Sequence, residues 1–257
     1  MIEIRGLNVY RGSQHILHDI DLNILPSHFT ALIGPNGSGK STLLGSMATT
    51  VAIQSGHMKL GSKQLSSYSR RELAQQMAFL PQHVHTPAGM NVRELLAQGR
   101  FPWRSWLGGW SRRDEDAVTR AVELCGIEQL LDRPLQNLSG GQLQRAWIAM
   151  TLVQDTPIIL LDEPTTFLDV ANQLSLLDLL SVLRDAGRTV VAILHDLNQA
   201  ARYADQLVML KDGRVVAEGN TQQVFTATNI DSVFSVRSRM VDDPETGIAM
   251  CIASSSA

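Results

Sequence analysis

The chain has 257 residues, 44 % of them hydrophobic and 18 % charged. It is long and apolar enough for a core domain with an inserted lobe, which excludes a disordered chain, and its low charged fraction suggests a surface partly covered by a partner. A net charge of −3 gives no global basic field for nucleic acid, and two distant cysteines, Cys125 and Cys251, fit neither a disulfide framework nor a zinc site.

The opening M-I-E-I-R-G-L has no basic-then-apolar leader pattern, so no signal peptide is expected. No run approaches the ~18 apolar residues of a membrane span, so any membrane role is expected to be peripheral and carried by other proteins. Residues 1–33 read as short strands. Ile2 and Ile4 alternate with Glu3 and Arg5, and Leu22 and Ile24 with Asp21 and Asn23. Phe29 to Ile33 is nearly all apolar and runs into a glycine loop, as a buried strand does. A helix is predicted over 40–50, a short strand pair over 56–65 and a strand over Met77 to Leu80. Residues 88–156 carry helical periodicity, all four tryptophans and few strand signals. Strands resume at Ile158 to Leu161 and Thr189 to Leu194, with a leucine-rich helix between them that stops at Gly187. Leu207 to Val216 reads as a hairpin around Asp212-Gly213. The last 25 or so residues mix acids, Pro244, Gly247 and serines, and are expected to be a small appendage or a loose tail.

Three motifs carry chemistry. G-P-N-G-S-G-K-S at 34–41 fits a P-loop, between a predicted strand and a predicted helix. Gly34, Pro35, Asn36, Gly37, Ser38 and Gly39 would turn backbone N–H groups around phosphates, and the helix end adds favourable dipole. Lys40 should reach the β- and γ-phosphates, Ser41 should ligate Mg²⁺, and Thr42 offers a further hydroxyl. I-I-L-L-D-E at 158–163 reads as a strand whose carboxyl end presents Asp162, suited to Mg²⁺, and Glu163, suited to orienting attacking water. Alone, two acids there equally suit a solvated loop start, and the P-loop beside them favours the first reading. L-S-G-G-Q at 138–142 puts Ser139, Gly140, Gly141 and Gln142 at a helix start. On residue chemistry alone those four also suit an ordinary capped helix with a tight entrance.

In this order and spacing, the three motifs make the chain resemble the ATP-binding subunits of ABC transporters, from Met1 to about Phe225. The resemblance implies an α/β P-loop NTPase core with a short antiparallel β subdomain and an inserted α-helical lobe. The core is expected over 1–87 and 157–230, the lobe over 88–156 and the appendage over 231–257. It implies ATP and Mg²⁺ as ligands. Tyr10 takes the place of the adenine-stacking aromatic, a strand-end core tyrosine being the other reading. Gln82 takes the Q-loop position near Mg²⁺, Leu168-Asp169 the D-loop and His195 the switch histidine near the γ-phosphate. The L-S-G-G-Q motif would cap a nucleotide held by a second subunit, so the chain should pair with itself or a homologue.

The stretches 88–103, 138–150, 162–169 and 194–205 resemble the ATPases of bacterial ferric-siderophore importers, with haem and cobalamin importer ATPases as near relatives. That implies an integral-membrane permease, indirectly a periplasmic binding protein, and a place on the cytoplasmic face of the inner membrane. Soluble ABC proteins of DNA repair or translation are the competing class. They usually carry a long coiled coil or two cassettes, and neither is visible here. An exporter ATPase is a third reading. Phe101, Trp103, Trp106 and Trp110 form an aromatic cluster suited to lobe packing or permease docking. His83 and His85 lack a nearby third metal ligand, and Asp242, Asp243 and Glu245 read as a solvated loop.

Overall fold

The computed structural model describes residues 1–86, 88–104 and 109–256. They form two compact units, Met1–Ser67 with Ser181–Ala257, and Tyr68–Leu180. Trp106 lies outside the described residues.

The first unit begins with β1 (Ile2–Arg11) and β2 (Gln14–Ile24), then β3 (Phe29–Ile33), α1 (Lys40–Met47), β4 (Ser55–Leu60) and β5 (Lys63–Gln64). β1 pairs antiparallel with both β2 and β4, in a sheet ordered β2-β1-β4-β5. These first strands are ten and eleven residues long, not short as the pattern predicts. Register shifts after Ile4 break the alternation and reset it, so that Ile2 and Ile4, then Leu7 and Val9, all face the core. The strand β3 is buried along its whole length.

The second unit holds α2 (Arg70–Gln76), β6 (Met77–Leu80), α3 (Val92–Gln98), α4 (Arg112–Cys125), α5 (Gly140–Val153) and β7 (Ile158–Leu161). The strands β6 and β7 pair parallel, Met77 opposite Ile158 through Leu80 opposite Leu161. The helices α3 and α4 both pack on α5. Arg100, just past α3, anchors this packing: its Nε donates to Asp114 at 2.7 Å and its Nη1 to the Val153 carbonyl at 3.0 Å. Burial works against the Asp114 charge, yet the Ser111 hydroxyl and Arg100 outweigh it and hold the carboxyl below its usual range. Such a pair fixes geometry more than it adds stability. The leucine-rich helix is α6 (Val170–Asp185).

The chain returns to the first unit with β8 (Thr189–Ile193), α7 (Leu197–Tyr203), β9 (Gln206–Lys211) and β10 (Arg214–Asn220). The strand β3 lies between β8 and β9, parallel to both, and β10 closes the expected hairpin antiparallel to β9. Residues past 220 form α8 (Thr221–Val224), α9 (Ala227–Phe234), β11 (Val236–Asp242) and β12 (Ala249–Ser256). The last two are an antiparallel hairpin. At its tip the Asp243 carboxylate accepts from the N–H groups of Glu245 and Thr246, so the acidic loop is a defined turn.

Candidate functional site

The P-loop joins β3 to α1. It is a cradle only glycine could build. Gly34 has φ 151°, and a Cβ there would stand 2.1 Å from the Leu210 carbonyl oxygen. Gly39, at φ 99°, caps α1 with no side-chain partner, and the first helical turn holds no acid. The positive end of the α1 dipole thus meets no capping side chain and no acid of its own first turn. The Lys40 ammonium is folded into the loop, donating to the Gly34 and Pro35 carbonyls at 2.8 Å each. Ser38 Oγ is buried and, among the described residues, has no hydrogen-bond partner. A buried hydroxyl without a partner is costly, and a bound phosphate would supply one. Ser41 and Thr42 follow in the first turn of α1, with Thr42 buried.

Tyr10 sits at the end of β1, 41 % exposed. The hairpin register puts it opposite His15, and the two rings stack with centroids 4.1 Å apart and planes 7° from parallel. His15 is a residue the motif reading missed; the turn signal at Arg11-Gly12-Ser13-Gln14 could have paired it with Tyr10. His195 lies exposed two residues past β8. The next residue, Asp196, caps α7 by accepting from Asn198 and Gln199 N–H at 2.8 and 2.9 Å.

In the second unit, Asp162 is buried at the end of β7 and extends the ladder through its N–H to the Leu80 carbonyl. Glu163 follows at φ 53°, a left-handed backbone that a non-glycine residue adopts at a cost of about 1–3 kcal/mol. Its Oε2 accepts from Gln82 Nε2 at 2.6 Å. The chain therefore brings together two residues that lie 81 positions apart.

Ser139 caps α5 in a reciprocal capping box: its Oγ accepts from Gln142 N–H at 3.3 Å, and Gln142 Oε1 accepts from Ser139 N–H at 3.1 Å. Gly140 and Gly141 have ordinary helical backbone. A Cβ on Gly140 would meet nothing closer than Phe167 Cβ at 3.9 Å. Asp169 caps α6, taking the Asn172 N–H at 2.8 Å. Two further residues tie this region together. Gln144 on α5 donates to the Pro164 carbonyl at 3.1 Å, and Gln173 on α6 to the carbonyls of Thr165 and Leu168. No sequence signal marks either glutamine.

The chain is similar to known proteins over most of its length. Residues 17–166 match the family model described as ABC transporter. The chain is 43 % identical to the ferric enterobactin transport ATP-binding protein of Escherichia coli (strain K12), over 97 % of its own length and 93 % of the relative's. It is 44 % identical to a probable siderophore transport system ATP-binding protein of Bacillus subtilis (strain 168), over 98 % and 92 %. Among solved structures, a metal-chelate type ABC transporter in an inward-facing conformation matches with TM-score 0.84 at 24 % identity, over 98 % and 97 % of the two chains. A bacterial ABC transporter cassette solved as a dimer matches with TM-score 0.77 at 28 % identity, over 86 % and 99 %. The fold is that of the P-loop cassettes, and the chain belongs to the ABC transporter family as an ATP-binding cassette.

Proposed function

We propose that this chain is the ATP-hydrolysing subunit of a ferric-siderophore importer, working as one half of a dimer against an integral-membrane permease. The observation that carries the reading is near-full-length identity above 40 % to ATP-binding proteins of siderophore transport, with every motif residue intact. No described helix is long and apolar enough to cross a membrane.

ATP is the substrate. Tyr10 holds the adenine by stacking, and the loop from Gly34 to Thr42 holds the phosphates. Lys40 leaves its loop carbonyls to neutralise β- and γ-phosphate oxygens. Glu163 orients the attacking water and takes its proton, with Gln82 fixing the carboxylate's rotamer. His195 contacts the γ-phosphate end. Ser41, Gln82 and Asp162 are hard oxygen donors of the kind that suit Mg²⁺. When bound, that ion supplies positive charge to the phosphate oxygens. Ser139, Gly140, Gly141 and Gln142 cap the partner's nucleotide, and Asp169 reaches across the dimer.

ATP binding closes the dimer and hydrolysis reopens it; the permease converts that motion into alternating access. Phe101, 76 % exposed, with Trp103 and Trp110 partly exposed nearby, suits the permease as apolar anchors. The ferric siderophore reaches the permease from a periplasmic binding protein and does not touch this chain, which stays on the cytoplasmic face. The test is growth of a deletion strain, lacking paralogous ATPases, on single siderophores under iron limitation. The parental chain restores use of at least one ferric siderophore, and Glu163→Gln does not. Normal growth of the deletion strain on every siderophore refutes the reading.

A further inference from the structure

The C-terminal hairpin meets the rest of the first unit at the helix that follows His195. The strand β12 packs against α7. At the contact, the Asn198 carboxamide faces the backbone of Cys251 in both directions. Cys251 N–H donates to Asn198 Oδ1 at 2.7 Å, and Asn198 Nδ2 donates to the Cys251 carbonyl at 3.3 Å. This is the pairing that a neighbouring strand would make with an edge strand, supplied by one side chain. Cys251 pairs with Met240 on the other side, so its outward-facing N–H and C=O are the groups left for such a partner. An amide has one donor end and one acceptor end, which the site requires; a carboxylate would set an oxygen against the Cys251 carbonyl.

Asn198 stands three residues after His195. Its own N–H is one of the two donors that Asp196 collects to start α7. The side chain is therefore held by the hairpin and the backbone by the cap, and the two bonds fix the first turn of α7 behind His195. The hairpin also packs on α9 along β11, and one bond of that contact, Ser238 Oγ donating to Asp231 at 2.6 Å, does not involve α7.

We infer that Asn198 is a positioning residue for hydrolysis: through its bidentate bond to Cys251, the C-terminal hairpin holds α7, and with it His195, in register for the γ-phosphate. The inference rests on the reading of His195 given above. Asn198 and the hairpin lie outside the residues assigned above to the nucleotide, so their loss should slow turnover and leave nucleotide binding alone.

The test uses the full-length chain and Mg²⁺-ATP. Asn198→Asp keeps the shape and loses the donor; it lowers kcat about tenfold and leaves KM within about twofold. Asn198→Ala, which introduces no repulsion, gives the same pattern with a smaller loss. Ser238→Ala cuts the hairpin's bond to α9 and a side-chain contact with the Cys251 thiol, leaves the Asn198 bonds to the Cys251 backbone in place, and keeps parental kcat, which separates positioning from general loosening. Hydrogen exchange should rise at the Cys251 amide and in the first turn of α7 in both Asn198 variants, and not at α7 in Ser238→Ala. Parental kcat in folded Asn198→Asp or Asn198→Ala overturns the inference, as does an equal loss in Ser238→Ala. His195→Ala is measured alongside. If it turns over ATP at the parental rate, the role given to His195 fails; if it is slow while the Asn198 variants are not, only the hairpin's role fails.

Discussion

The P-loop and the signature loop, L-S-G-G-Q at 138–142, are both glycine-rich helix starts, and they use glycine for opposite reasons. In the P-loop the reason lies inside the chain: a Cβ on Gly34 would overlap the Leu210 carbonyl, and the φ of 151° is barred to other residues. In the signature loop the chain gives no reason. Gly140 has helical backbone and free room around a would-be Cβ. Glycine is a poor helix former, costing about 1 kcal/mol against alanine, so its place there needs a cause outside the unit. The close approach of a second body is such a cause. That contrast is the one expected if the second loop serves a partner's nucleotide, as proposed above.

The largest expected effect falls on neither loop, and it fixes the scale for both. Glu163→Gln keeps the side-chain volume and the left-handed backbone while removing the carboxylate proposed as the base. Turnover should fall by about 10²–10⁴, with ATP affinity kept. ATPase assays beside equilibrium ATP binding are the check. Parental turnover would show that the base lies elsewhere, and the comparison of the loops would then lose its catalytic reference.

The comparison itself breaks or stands on a pair of alanine substitutions. Gly34→Ala forces strain of about 1–3 kcal/mol and a backbone overlap, so it should lower thermal stability and abolish ATP binding together. Gly140→Ala should leave the melting temperature unchanged or raise it slightly, since alanine favours the helix. It should still cut ATPase activity of the dimer tenfold or more, because the methyl stands where the partner's phosphate must approach. Equal behaviour of the two variants, both harmless or both unfolded, would refute the distinction.

Much of this was legible in the sequence because it depends on short-range patterns. The buried strands Met77–Leu80 and Ile158–Leu161 have the bounds that their apolar runs predict. The P-loop stands out by its spacing, and Asp162 and Glu163 gain their reading only from its presence. What was hidden depends on register and on long-range pairing. The slip after Ile4 turned one long strand into two apparent short ones. The Gln82–Glu163 bond joins residues 81 apart, and no local pattern encodes it. The C-terminal hairpin was the hardest to see. Polar and small residues dominate β12, and one of its outward bonds goes to a side chain on α7, so alternation is weak and the composition resembles a tail.

The smallest effect sharpens the comparison most, because it separates a cap from a contact. Ser139 satisfies the Gln142 N–H, so Ser139→Ala should cost about 1 kcal/mol, a fall of roughly 2–4 °C in melting temperature for a chain of this size. Were capping its whole role, ATP turnover would stay parental once the protein is folded. The reading of a shared site predicts a severalfold loss of turnover as well, because the exposed hydroxyl also meets the partner's γ-phosphate. Ser139→Asp separates the two causes. Aspartate is as good an N-cap as serine and is favoured by the helix dipole, so stability should hold. A negative charge beside a phosphate is repelled, so turnover and ATP-driven dimerisation of the Glu163→Gln background should both collapse. Calorimetry and light scattering on the same samples decide it. A stable Ser139→Asp chain that still dimerises with ATP would make this loop an ordinary capped helix start.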